Sequence, residues 1–98
     1  MKTGDPVIDN AYRDFLANTI AILSGLEHED PATLTITTKA MLLAGYSQTE
    51  IAASVGVSRP TISRWCNGSR HLPRSPIARK AMVGELIGVL SERYKKYT

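Results

Sequence analysis

The segment Ser47–Gly68, SQTEIAASVGVSRPTISRWCNG, most narrows what this chain can fold into. It holds two short helical patterns joined by a glycine, with a serine at the front of each. Ser47-Gln48-Thr49-Glu50 is a capping box: the serine hydroxyl accepts from the Glu50 N–H, and the Glu50 carboxylate reaches back to the Ser47 N–H. Ile51, Ala52 and Val55 share one face of the first pattern, which ends at Gly56. The turn asks for a left-handed residue, and glycine takes that conformation without steric cost. Val57 fills the corner, Ser58 caps the second pattern, and Pro60 is tolerated because it lies in the first turn.

The second pattern separates two kinds of side chain. With Arg59 at zero and about 100° per residue, Ile62 falls near 300° and Trp65 near 240°, which centres an apolar face near 270°. The opposite face holds Ser63 near 40°, Asn67 near 80°, Pro60 near 100° and Arg64 near 140°, with Arg59 and Thr61 flanking them. No acid stands on that face. Arginine grips guanine O6 and N7 with a two-toothed fork, serine and threonine bond several base edges, and asparagine reads adenine or holds a phosphate. A helix lying in a major groove carries these groups. The preceding helix then crosses the backbone, with its free N–H groups and Gln48 toward phosphate.

Charge distribution agrees. Residues 1–56 hold three bases and seven acids, net −4, whereas residues 57–98 hold nine bases and two acids, net +7. A basic half on a near-neutral chain implies a face for a polyanion, although charge alone describes an ordinary solvated surface equally well. Ninety-eight residues make one domain with one modest core. Hydrophobic residues form 43% and charged residues 21%, as in a soluble globular protein. No apolar run reaches the roughly 18 residues of a membrane span. The start, MKTGDPVIDN, has no signal-peptide core. A cytoplasmic location follows as the expectation. Cys66 is the single cysteine, so neither an internal disulfide nor a cysteine metal cage is possible. His28 and His71 lack ligand-like spacing.

Around this segment the chain reads as all-α, with about five helices and no alternating strand pattern. Asp5-Pro6 starts an N-terminal helix over about 6–24, with Ile8, Tyr12, Phe15, Leu16, Ile20 and Leu23 on its apolar face and Gly25 at its end. EHEDPAT reads as an acidic loop. A shorter helix starts near residues 35–38 and stops at Gly45. After the opening segment, SRHLPR is a basic loop. Ser75-Pro76 then starts a long helix over about 76–96.

Residues 48–68 resemble the helix-turn-helix of the phage repressor/Cro family of transcription regulators. Gln48, Ile51-Ala52, Gly56, Val57, Ile62, Trp65 and Asn67-Gly68 carry the likeness, without a gap. The resemblance implies a compact lambda-repressor-like helix-turn-helix domain over residues 1–98, with the motif at 47–68. It implies base contacts at Arg59, Pro60, Thr61, Ser63 and Arg64. It implies phosphate contacts at Gln48, Ser58, Asn67, Ser69, Arg70 and Arg74. Pro60 departs from the pattern, because it has no side-chain donor and offers only shape or a thymine-methyl contact. Arg59 and Arg64 are therefore the expected guanine readers. The N-terminal segment of about 45 residues has no established counterpart in the family.

The blander readings are these. Trp65 belongs to the core rather than to a base stack. Cys66 is a half-buried small residue rather than a redox centre. His28, Glu29 and Asp30 form a solvated loop rather than a metal site. Tyr94 and Tyr97 belong to a frayed C-terminus rather than to a nucleic-acid surface. No phosphate-binding glycine loop, hydrolytic triad or metal spacing appears, so no enzyme, cofactor, metal or small-molecule ligand is expected. The implied partners are double-stranded operator DNA and a second copy of the chain, since paired recognition helices sit about 34 Å apart on DNA. The last helix offers Ile77, Ala81, Met82 and Leu86 to the core and Val83, Ile87, Leu90 and Tyr94 to a dimer partner. The first helix, with a wide apolar face, is the rival. A repressor working in the bacterial or phage-infected cytoplasm, on the nucleoid, is the expected function. The alternatives are an accessory in replication, recombination or partition, or a protein-interaction adaptor that keeps the motif.

Overall fold

One device starts three of the helices: a short polar residue followed by proline. In the computed structural model, which describes residues 2–68 and 71–98, the Asp5 carboxylate accepts from the Val7 N–H at 2.9 Å and opens α1, Pro6–Ser24. The Asp30 carboxylate accepts from the Ala32 N–H at 2.9 Å and opens α2, Pro31–Leu43. The Ser75 hydroxyl accepts from the Ala78 N–H at 3.2 Å and opens α5, Pro76–Lys95. Proline stands first in each because its missing N–H would have had no partner there. Between them lie α3, Gln48–Val55, and α4, Arg59–Cys66. The described residues are helical with connecting turns and contain no strand; the fold is all-α.

The start of α2 corrects the sequence reading. Of the expected loop EHEDPAT, Pro31-Ala32-Thr33 is already helical, and the helix begins at Pro31 rather than near residues 35–38. Three of the four threonines that weaken the pattern are satisfied locally, whereas the Thr35 hydroxyl is buried without a partner among the described residues. Thr33, Thr37 and Thr38 are buried and donate to the carbonyls of Glu27, Thr33 and Leu34 at 2.6, 2.7 and 2.8 Å. Thr37 and Thr38 bond one turn back and Thr33 reaches into the preceding loop, and a buried hydroxyl that finds a carbonyl costs little. Ala44 closes the helix, and Gly45, at φ +101°, turns the chain toward α3.

Helix α5 is the spine. It packs on α1, α2 and α3, while α4 packs on α2 and α3 alone and α1 touches neither α3 nor α4. The core joins Leu16 and Leu23, Leu34 and Met41, Ile51, Ile62 and Trp65, and Val83, Leu86 and Leu90.

The inward face of α5 is a second correction. Val83 and Leu90 are fully buried within the single chain, whereas Ile77 is 78% exposed. Val83 and Leu90 are therefore core, not dimer surface, and Ile77 and Ala81 lie outside. The inward residues are Arg79, Val83, Leu86 and Leu90, in steps of four and three. A charged residue on the inward row hides that row from a hydrophobic pattern.

The C-terminus is anchored rather than frayed. Tyr97 is buried, with its ring 4.9 Å from that of Tyr12. The Tyr12 hydroxyl donates to the Ala44 carbonyl. Arg93 lies over the Tyr46 ring at 3.7 Å and donates to the Tyr12 hydroxyl at 3.2 Å. A cation on an aromatic face gains most when both are partly desolvated, and burial accordingly pushes the Tyr46 phenol up.

Candidate nucleic-acid interface

The capping box at the front of α3 is complete. The Glu50 N–H donates to the Ser47 hydroxyl at 3.1 Å, and the Ser47 N–H donates to the Glu50 carboxylate at 2.9 Å. The helix ends at Gly56, whose φ of +73° is the left-handed turn the sequence demanded. The Val57 N–H then donates to the Ala52 carbonyl at 3.0 Å. This pins the corner between α3 and α4.

The caps also give the domain an acid-sensitive edge. Hydrogen bonding from the Ser47 N–H, then from its hydroxyl, holds the Glu50 carboxyl below its ordinary value. The Thr3 N–H does the same for Asp9. A carboxyl lowered on folding contributes stability that is complete above its unfolded value and is lost as the pH falls through the folded one. The melting temperature should therefore drop as the pH falls below about 4. Glu50→Gln keeps an acceptor for Ser47, so it should show a smaller drop between pH 7 and pH 3. Equal drops in thermal melts of the two proteins would show that the box contributes no acid-sensitive stability.

Helix α4 is oriented by its two large apolar residues. Ile62 is fully buried and Trp65 is 1% exposed. The helix therefore turns Arg59, Pro60, Arg64 and Asn67 into solvent, with Thr61 and Ser63 half-buried at the edges. Ser58 departs from the expectation in one respect: its side chain makes no cap bond. Its hydroxyl pairs instead with that of Thr61 at 2.9 Å. Gln48 is the first residue of α3 and half-buried, and Arg74 is exposed in the loop before α5. Ser69 and Arg70 lie outside the described residues. Ile87 and Tyr94 are half-buried on α5.

Three features of this surface were not read from the sequence. Arg64, Asn67 and Gly68 line an open cleft of about 450 Å³ together with His71, which joins them only through the fold. Lys39, from α2, is near enough to pull the Cys66 thiol down, against the stronger upward push of burial. Lys39 thus adds a cation beside the C-terminal end of α4. Conversely, two bases of the positive half are spent inside the molecule: Arg79 on main-chain carbonyls and Arg93 on the tyrosines.

His28 is part-buried rather than solvated, with Nε2 3.1 Å from the Leu23 carbonyl at the end of α1. No group of three or more His, Cys, Asp or Glu side chains that could hold a metal occurs among the described residues. No helix among them is long and apolar enough to cross a membrane.

The surface is thus a short helix with arginines, hydroxyls and an amide facing solvent, braced by a second short helix across a glycine turn. A family model described as Helix-turn-helix matches residues 39–89, just over half of the chain, from within α2 to near the end of α5. A search of the curated proteins and a search of the solved structures found no match. With the capped α3, the left-handed Gly56 and the outward face of α4 all inside the matched segment, the chain belongs to the Cro/C1-type helix-turn-helix family of DNA-binding regulators.

Proposed function

We propose that the protein is a sequence-specific regulator of transcription that represses by occupying a roughly palindromic operator as a homodimer, in the bacterial or phage-infected cytoplasm. One observation carries the reading: α4 buries Ile62 and Trp65 and leaves Arg59, Arg64 and Asn67 exposed on the side away from the core. Arg59 and Arg64 read guanines. Thr61 and Ser63 contact neighbouring base edges, and Pro60 supplies shape. Gln48, Ser58, Asn67 and Arg74 hold phosphates, with Ser69 and Arg70 continuing along the backbone.

The second copy docks on α1. Ile8, Phe15 and Ile22 stand one heptad apart and are 54%, 37% and 65% exposed, outside the face that packs on the core. The small Ala11 and the polar Asn18 occupy the intermediate positions of that row. On α5 only Ile87 and Tyr94 of the expected stripe remain partly accessible.

The test is selection from random double-stranded DNA at about 150 mM salt, where weak phosphate contacts are suppressed. The expected outcome is an inverted repeat with half-sites about one helical turn apart. Phe15→Glu should reduce the enriched motif to a single half-site. Recovery of DNA without a motif would point to an accessory binder. No recovery, even at low salt, would leave the adaptor reading.

A further inference from the structure

Arg79 is a buried cation held by main-chain oxygens. It is 9% exposed, and no acid pairs with it among the described residues. Its Nε donates to the Glu29 carbonyl at 2.7 Å. Its Nη1 donates to the carbonyls of Pro73 and Arg74 at 2.8 and 2.9 Å. One guanidinium thereby ties the first turn of α5 to the loop before α2 and to two successive peptides of the segment that follows α4.

The position continues the inward row Val83, Leu86 and Leu90. An apolar side chain there would extend the core without the desolvation of a charge, but it would leave the Glu29, Pro73 and Arg74 carbonyls without this donor. An aliphatic residue cannot hold two consecutive carbonyls in a fixed orientation. The two N–H groups of Nη1 do so while Nε anchors the guanidinium plane on the Glu29 carbonyl, and charge strengthens each bond. The carbonyls it holds belong to Pro73 and Arg74, and the Arg74 side chain is exposed.

We infer that Arg79 is a positioning residue for DNA binding: by fixing the main chain at Pro73 and Arg74 it fixes the point from which the Arg74 side chain reaches a backbone phosphate. The inference rests on the DNA-binding reading above. It assigns to a residue with no access to DNA a share of the electrostatic contact.

The experiment is a double-mutant cycle on the full chain and a duplex carrying the selected site. The readout is the slope of log affinity against log salt. Each phosphate neutralised contributes about 0.9 to that slope. Arg74→Ala should lower it by about that amount, with an affinity loss of roughly three- to tenfold at low salt. Arg79→Met, which fills the inward position, should lower the slope by a similar amount while circular dichroism shows unchanged helicity. The double variant should lose no more than either single one, because the two residues act as one unit. Arg79→Lys keeps the charge but not the fork and should fall between wild type and Arg79→Met; it also serves if the methionine variant does not fold. An unchanged slope in the Arg79 variants, or an Arg74→Ala effect that persists in full in their background, would overturn the inference while leaving DNA binding intact. A wild-type chain that binds no duplex would overturn the functional reading itself, and this inference with it.

Discussion

Trp65→Ala should cost roughly 3–5 kcal/mol of stability, as truncation of a fully buried aromatic does. A domain of this size holds about 5–15 kcal/mol in total, so the loss should lower the melting temperature by roughly 15–30 °C. The indole is 1% exposed and belongs to the cluster that joins α2, α3, α4 and α5. It also sets the rotation of α4, so the variant should lose DNA binding together with its fold. Trp65→Phe is the informative companion. The indole N–H is buried without an acceptor among the described residues, and an unpaired buried donor costs about 1–3 kcal/mol. Phenylalanine removes that donor while keeping most of the ring, so it should cost far less than alanine. Denaturant unfolding followed by circular dichroism measures both. A Phe variant as unstable as the Ala variant would show that the indole nitrogen does have a partner.

Arg64→Ala and Arg59→Ala should have the largest effects on binding. Each loss of a two-toothed guanine contact is worth about 1–3 kcal/mol, or roughly ten- to a hundredfold in affinity for the selected duplex. Specificity should relax at one base position in each half-site. Both side chains are exposed on α4 and make no side-chain hydrogen bond or ion pair among the described residues, so the fold should be unaffected. Lys80→Ala changes the same charge on an exposed residue of α5 and should leave base preference untouched. Fluorescence anisotropy on the selected duplex and on single-base variants separates the cases. A uniform loss on all sequences would make Arg64 a phosphate contact, as its place in the cleft beside Asn67 and His71 would also permit.

The motif was legible in the sequence because its signals are local. The capping box, the left-handed glycine and the spacing of Ile62 and Trp65 depend on residues within two turns, and each appears in the structure where the pattern placed it. What the sequence hid depends on distant partners. The inward row of α5 includes Arg79, whose carbonyl partners lie at residues 29, 73 and 74. Tyr97 is ordered by Tyr12, from the other end of the chain. His71 and Arg64 line one cleft only through the fold, and Lys39 acts on Cys66 from another helix. The early start of α2 is a different case. Asp30-Pro31 carries the same cap-and-proline device as Asp5-Pro6, but the run of threonines outweighed it. Only the bonds from Thr33, Thr37 and Thr38 to backbone carbonyls show why those threonines are helical.

The proposed seat of duplex DNA is the outward face of α4, braced by α3. Amide chemical-shift mapping of the isotope-labelled protein, titrated with the selected duplex, tests it residue by residue. The largest shifts are expected at Gln48, Thr49 and Ser58–Asn67, with a smaller set at Arg74 and little change along the inward row of α1. Shifts centred on α1 or on the outer face of α5, with α4 silent, would contradict it.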